Sequence, residues 1–221
     1  MKTRTSLILL TLAVLGLVAV QPAHAATIDW SATAGDATWA TDANWDGTPP
    51  TAPADNITDD IARFNKTSYT FQPDGGTRSI NGIEIGNGTT VTAELTISGT
   101  ALTIGANGVT MYANAGTAII SSPVTLGDNQ IWTNNSANTL TASGAIGGNY
   151  NLTKSGDGTL ILGGNNTMGD TVNVLAGQLT LASGTTTISK AGEGTVGSLK
   201  VSASGVTIAS GATVTVSPHI S

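Results

Sequence analysis

The residues best suited to chemistry are scarce in this chain of 221 residues. It has no cysteine and only two histidines, His24 in the N-terminal segment and His219 at the extreme C-terminus. A Ser-His-Asp or Cys-His site therefore lacks an ordered base, and zinc lacks its usual ligands. No HExxH motif or P-loop occurs, and no dinucleotide-binding glycine motif in a βαβ context. We expect no catalytic residue, no metal and no cofactor.

Acidic residues downstream of Arg78 are spread widely along the chain. They are Glu84, Glu94, Asp128, Asp157, Asp170 and Glu193. Enzymes that cleave glycosidic bonds use carboxylate pairs about 5–10 Å apart, and nothing in this spacing marks such a pair. We interpret these residues as solvated surface charges and predict that the protein is not an enzyme.

The densest oxygen-rich stretch is Asp55-Asn56-Ile57-Thr58-Asp59-Asp60. Calcium takes six to eight oxygen ligands, and a loop of this kind offers some of them. The stretch lacks the glycine-punctuated EF-hand spacing, and the RTX nonapeptide is absent. We favour a solvated loop and keep a bound calcium ion as the alternative.

Trp30, Trp39 and Trp45 lie close together in the sequence. Aromatic faces can stack on sugars, so Trp39 and Trp45 are candidate glycan contacts. Alternatively, these large rings cover the open end of a stacked core, each burying roughly 150–250 Å². A stacked core needs such a cap because an open end exposes apolar side chains and unpaired backbone groups. We therefore favour the cap.

The N-terminus has the features of a signal peptide. A short basic stretch precedes an uncharged apolar run, Leu7 to Val20, and Ala23-His24-Ala25 then fits the cleavage rule. The apolar run is too short to span a bilayer as a helix, so we expect no membrane span in the mature chain. We predict that residues 1–25 are removed, that the mature chain starts at Ala26, and that it is exported.

Composition narrows the partners and the fold class. The formal net charge is −6 at pH 7, which leaves no basic surface for nucleic acid or anionic lipid. Charged residues make up only 10% of the chain, and small and polar residues take their place, as in stacked-strand solenoids. Without cysteine, hydrogen bonds and burial alone must hold the fold together.

From about Arg78 a short strand signature recurs to the end of the chain. It consists of an apolar, a small or polar, and an apolar residue, usually with Gly a few positions later. It begins at Leu95, Leu102, Val124, Leu140, Leu160, Leu179, Leu199 and Val206. From 102 through 124, 140, 160, 179 and 199 the steps are 22, 16, 20, 19 and 20 residues, a spacing typical of repeat architectures.

These strands predict an all-β solenoid. Alternation turns one side of each strand inward, and Gly and Asn supply the corners. Three strands with their corners take about 20 residues, which is one coil of a parallel β-helix. We predict a right-handed parallel β-helix over residues 78–221 with residues 26–77 as an N-terminal cap or leader. A β-sandwich with Greek-key turns is the alternative.

Residues 152–184 closely resemble the autotransporter-associated β-strand repeat. Leu152 to Met168 fits the family pattern L-x-K-x-G-x-G-T-L-x-L-x-G-x-N-T-Y, with Met168 in the place of Tyr. Val174-Leu-Ala-Gly177-Gln-Leu179 fits the closing V-x-x-G-x-L. Upstream, Ala37-Thr-Trp39, Ala43-Asn-Trp45 and Asp60-Ile-Ala-Arg-Phe64 resemble the leader that often precedes such repeats.

The resemblance implies a parallel β-helical passenger of a large protein at or beyond the outer membrane of a Gram-negative bacterium. Family members often end in a translocating β-barrel or a sorting tail, so we expect this chain to be truncated at its C-terminus. Neighbouring passenger segments and surface glycans are the expected partners. The implied function is non-catalytic and structural or adhesive. The alternative is a carbohydrate-binding or polysaccharide-lyase-like β-helix that acts on extracellular glycans.

Within the repeat, each residue has a simple predicted role. Gly156 and Gly158 allow a tight corner, Asn165-Asn166 forms the next corner, and Lys154 is a solvated charge. The residues predicted to line the core are Leu160, Leu162, Val172, Val174, Leu179 and Leu181.

Overall fold

The computed structural model describes residues 26–31, 34–169, 171–190, 197–202 and 205–218. The predicted signal peptide, Asp170, Glu193 and His219 therefore lie outside the described residues. Among the described residues, one short 3-10 helix, Asp42–Asn44, is the single helical element. Everything else with regular structure is β-strand.

Short strands follow one another along the chain. In chain order they are β1 Thr27–Asp29, β2 Ile61–Phe64, β3 Thr77–Ile85, β4 Leu95–Ile97, β5 Ala101–Met111, β6 Ala118–Ile120, β7 Val124–Leu126, β8 Gln130–Asn134, β9 Leu140–Ala142, β10 Ile146–Gly148, β11 Leu152–Ser155, β12 Thr159–Leu162, β13 Asn166–Gly169, β14 Thr171–Val174, β15 Gln178–Leu181, β16 Thr185–Lys190, β17 Ser198–Val201, β18 Val206–Ile208 and β19 Thr213–Pro218.

The strands stack in three columns that form the faces of a parallel β-helix. Face A contains β7, β10, β13, β16 and β19, together with the first halves of β3 and β5. Face B contains β1, β2, β8, β11, β14 and β17, together with the second halves of β3 and β5. Face C contains β4, β6, β9, β12, β15 and β18. Face C has one strand per coil, so its six strands indicate about six coils.

Every pairing between these strands is parallel. The predicted β-helix is therefore confirmed. The β-sandwich alternative is wrong, because a Greek-key sandwich is built from antiparallel sheets.

The predicted repeat length is confirmed where like positions are compared. On face C, Leu140 pairs with Leu160 and Leu160 pairs with Leu179, so these coils take 20 and 19 residues. Leu179 then pairs with Val206, 27 residues further on. The longer step arises because the last coil carries extra residues between β16 and β17.

Two of the predicted steps join different faces and are wrong as repeat intervals. Val124 lies on face A and pairs with Leu102 and Ile146, whereas Leu140 lies on face C. Leu199 lies on face B, where it pairs with Val172. The strand signature is the same on all three faces, so sequence spacing alone did not separate the faces.

Stacked aliphatic side chains fill the interior. The column on face C is Leu95, Ala118, Leu140, Leu160 and Leu179, all at most 1% exposed. Like side chains lie over one another because successive coils are separated by the strand spacing of about 4.8 Å. The six residues predicted to line the core of the repeat are all buried, and each contributes about 1.5–3 kcal/mol of apolar burial.

Candidate functional site

An aromatic cluster lies at the N-terminal end, where β1 and β2 begin face B. It consists of Trp30, Trp39, Trp45 and Phe64. The rings of Trp30 and Trp45 meet edge to face with centroids 5.0 Å apart, and those of Trp39 and Trp45 do so at 5.6 Å. The indole N–H of Trp45 donates to the carbonyl oxygen of Trp39 at 2.7 Å. Aromatic packing of this kind stabilises a core beyond the area that it buries.

Burial of this cluster bears on the two interpretations of the tryptophans. Trp30 and Trp39 are fully buried and Trp45 is 1% exposed. A sugar-stacking platform needs an open ring face, so this geometry gives no support to a glycan contact at Trp39 or Trp45. It supports the interpretation that the rings cover the end of the core. The N–H groups of Trp30 and Trp39 have no partner among the described residues, a cost that the buried aromatic area offsets.

The Asp55–Asp60 loop engages its own polar groups. Asn56 accepts from the amides of Thr58 and Asp59, and it donates to the carboxylate of Asp59 at 2.8 Å. Asp55 accepts from the amide of Ser79 at 2.6 Å, and Asp60 accepts from the amide of Ala54 at 2.7 Å. The carboxylates therefore bind separate donors. Among the described residues, no group of three or more His, Cys, Asp and Glu could hold a metal ion.

A row of polar side chains runs along the outer side of face B. Asp29, Arg63 and Glu84 are register partners on β1, β2 and β3. Arg63 contacts the carboxylate of Asp29 at 2.6 Å and that of Glu84 at 3.6 Å. The hydrogen bond to Asp29 raises the pKa of Arg63, so its charge is permanent. Tyr112 donates to Glu84 at 3.3 Å, which fixes the Glu84 carboxylate from a second side.

A small notch opens beside this row. Its cavity of about 110 Å³ is lined by Ile61, Gly82, Ile83, Glu84, Asn107 and Thr110. The notch exists because Gly82 and Gly108 are register partners at outward positions, where neither strand contributes a side chain. The glycine at 82 is also required by packing, since a Cβ there would lie 2.7 Å from the Cβ of Asn107.

Lys154 lies inside the solenoid, and its prediction as a solvated charge is wrong. Its residue is 1% exposed. The ammonium group donates to the carbonyl oxygens of Ser155 and Gly156, both at 2.6 Å, and to that of Ala176 at 3.1 Å. Ala176 belongs to the next coil, so the side chain joins two coils through backbone groups. We refer to this arrangement as the lysine clamp.

The lysine clamp has an electrostatic cost. Burial lowers the pKa of Lys154 to about 8, against a smaller attraction by Asp157 that raises it. The physical cause is desolvation, which disfavours the charged form of a buried base. A sequence signal for this burial existed. Leu152 and Lys154 are two positions apart on one strand, so alternation places both on the inner side.

Other polar residues also lie inside and were not predicted there. Gln130, Trp132 and Asn134 alternate on β8 and are all buried. Trp132 donates to the side chain of Gln130 at 2.9 Å, and Asn134 donates to the carbonyl oxygens of Asn138 and Thr159. Asn166 is likewise buried on β13 rather than at a corner, where it donates to Thr186 at 3.1 Å. These pairs satisfy the interior polar atoms.

The two glycines of the predicted corner serve in different ways. Gly156 has a φ of +74°, so its corner requires the left-handed conformation. Gly158 has no such φ, but a Cβ there would lie 2.6 Å from the side-chain carbon Cγ of Asn134. The second glycine is therefore needed for close packing of neighbouring coils.

Comparison with known proteins adds no relative: no family, no curated protein and no solved structure matches this chain at a significant level. Within the described part of the chain, no helix has the length and apolar character needed to cross a membrane.

Proposed function

We propose that this chain is a non-catalytic β-helical module of an exported surface protein, with a structural and adhesive role. The observation that carries this proposal is the unbroken stack of parallel strands over about six coils around one apolar core. Backbone hydrogen bonds link each coil to the next, so the module is a stiff rod with repeated outer faces. Such a rod suits spacing and presentation at a cell surface.

The similarity of residues 152–184 to the autotransporter-associated repeat supports the same proposal. The pattern positions have physical roles that suit a solenoid. Lys154 joins two coils, Leu160 and Leu162 lie in the core, and Gly177 has a left-handed φ of +67° beside the lysine clamp. The sequence pattern thus corresponds to a set of contacts between neighbouring coils.

A polysaccharide-lyase-like activity is the weaker candidate. It requires acidic side chains gathered on one outer face, with a base or an arginine beside them. In the described part of face B, Asp29 and Glu84 flank Arg63, and their carboxylates are neutralised by it in part. This arrangement resembles a structural ion pair more than an acid–base pair.

The test uses the full chain expressed in a Gram-negative host. We expect the exported product to have the intact mass of a chain that starts at Ala26, because Ala23 and Ala25 satisfy the peptidase. Purified product should release no reducing ends or unsaturated uronates from a panel of plant and bacterial polysaccharides. A product that retains residues 1–25, or measurable depolymerisation, would contradict the proposal.

The adhesive part needs a separate measurement. Beads coated with the purified protein should be retained on glycan-coated surfaces under flow more than beads coated with serum albumin. Equal retention would limit the role to structure.

A further inference from the structure

We infer that the notch on face B is a binding subsite for one neutral sugar residue of an extracellular glycan. The inference names a ligand class for the proposed adhesive role and rests on it. The site differs from the tryptophans that the sequence indicated.

The notch combines the two surfaces that a pyranose ring requires. Ile61 and Ile83 supply apolar contact for the C–H face of a ring, and Glu84, Asn107 and Thr110 supply polar groups beside it. Binding sites for small ligands generally have this mixture, with apolar walls and a few fixed polar groups.

The polar groups retain capacity for a ligand. The side-chain amide of Asn107 is exposed and makes no hydrogen bond to another described residue, and the same holds for the hydroxyl of Thr110. Glu84 is instead held in place by Tyr112 and Arg63, while each carboxylate oxygen keeps a further lone pair. A fixed acceptor beside free amide and hydroxyl groups matches the alternating donors and acceptors of vicinal sugar hydroxyls.

Charge selects among sugars. Asp29 and Glu84 carry two negative charges against the single positive charge of Arg63, so the site repels a uronate or a sulfated sugar. The cavity of about 110 Å³ accepts one edge of one residue. We therefore expect a dissociation constant on the order of 1 mM for a monosaccharide, with tighter binding reached only through repeated units.

The test is a titration of the ¹⁵N-labelled protein, observed by NMR. Methyl α-mannopyranoside, methyl β-glucopyranoside and N-acetylglucosamine are the neutral probes, and glucuronate is the charged control. At least one neutral probe should shift the backbone amides of Ile83, Asn107 and Thr110 in a saturable manner. Glucuronate should shift them at least tenfold less at the same concentration.

Two variants locate the effect. Asn107→Ala alters an exposed side chain and should abolish saturable shifts while the spectrum of the rest of the protein is unchanged. Thr153→Val changes an outward residue of β11 on the same face, outside the notch, and should bind like the wild type. Absence of saturable shifts with every neutral probe, or equal shifts in Asn107→Ala, would overturn the inference. A protein that is exported and non-catalytic but fails this titration keeps its structural role.

Discussion

The Nζ atom of Lys154 lies 3.1 Å from the carbonyl oxygen of Ala176, which is 22 residues further along the chain. Two shorter bonds, to the carbonyl oxygens of Ser155 and Gly156, hold the same ammonium group within its own coil. A buried cation is usually paired with a carboxylate, because its desolvation must be offset. Here backbone dipoles from two coils take that place, and the side chain fixes the position of one coil on the next.

Replacement of Lys154 by Met should destabilise the protein. Three carbonyl groups would lose their donor in the interior, and buried unsatisfied acceptors are costly. We expect the free energy of unfolding to fall by about 2–4 kcal/mol in urea titrations. Lys200→Met is the matched control, since Lys200 lies exposed on face B, and it should change stability by less than about 0.5 kcal/mol. Equal losses in the two variants would show that the clamp is not a specific contact.

The lysine clamp also predicts a pH dependence. The pKa of Lys154 is about 8 in the folded protein against an ordinary value of 10.5. Between these two pH values the unfolded chain binds more protons than the folded chain, so folding stability rises with pH there and is lost as pH falls towards 8. The difference in unfolding free energy between wild type and Lys154→Met should therefore grow from pH 7.5 to pH 10.5, by at most about 3 kcal/mol.

The control for this pH series is again Lys200→Met, which should show the same rise as the wild type. Urea midpoints at four pH values are sufficient. A difference between wild type and Lys154→Met that stays constant or shrinks with pH would mean that Lys154 keeps an ordinary pKa in the folded state.

Gly177 should tolerate no side chain, because it contacts the clamp. A Cβ there would meet the carbonyl oxygens of Gly156 and Gly158 and would lie 2.8 Å from the Nζ atom of Lys154. Gly76 has a similar φ, +58° against +67°, but nothing lies within 4 Å of its Cβ position. Gly76→Ala therefore reports the conformational cost alone, about 1–2 kcal/mol. Gly177→Ala should cost at least about 2 kcal/mol more, and similar losses in both would refute the packing argument.

The tryptophan cluster gives a test that separates cap from sugar platform. Trp45→Ala should lower the unfolding free energy by about 3–5 kcal/mol, the usual range for a buried aromatic residue. Trp45→Phe should lose less, because it keeps a ring while it gives up the bond to the carbonyl of Trp39. Tyr150→Ala, at a partly exposed ring, is the control for loss of an aromatic residue.

The opposite result would favour the platform. Unfolding that is nearly unchanged in Trp45→Ala, together with a loss of glycan binding, would show that the ring faces a ligand in solution. Calorimetry and a glycan array on the same two samples provide both measurements.

The strands, the corners and most of the core followed from the sequence alone. Alternation between inward and outward side chains is local, so Leu160, Leu162, Leu179 and Leu181 could be assigned to the interior from their own neighbours. The repeat length followed as well, because corners and strands recur at a fixed cost in residues. The face on which each strand lies did not follow, since Val124 and Leu140 share one signature and differ only in what they pair with.

Only the tertiary structure decided what the polar residues do. Lys154 is surrounded by polar and small residues in the sequence, where a solvated charge is the natural reading. Its third carbonyl partner comes from the next coil, and stacking of coils removes the water that would otherwise solvate it. In the same way, Glu84, Asn107 and Thr110 line one notch because β3 and β5 are adjacent in register. Local patterns determine which side of a strand faces inward, whereas contacts between coils depend on register, which the chain fixes only when it folds.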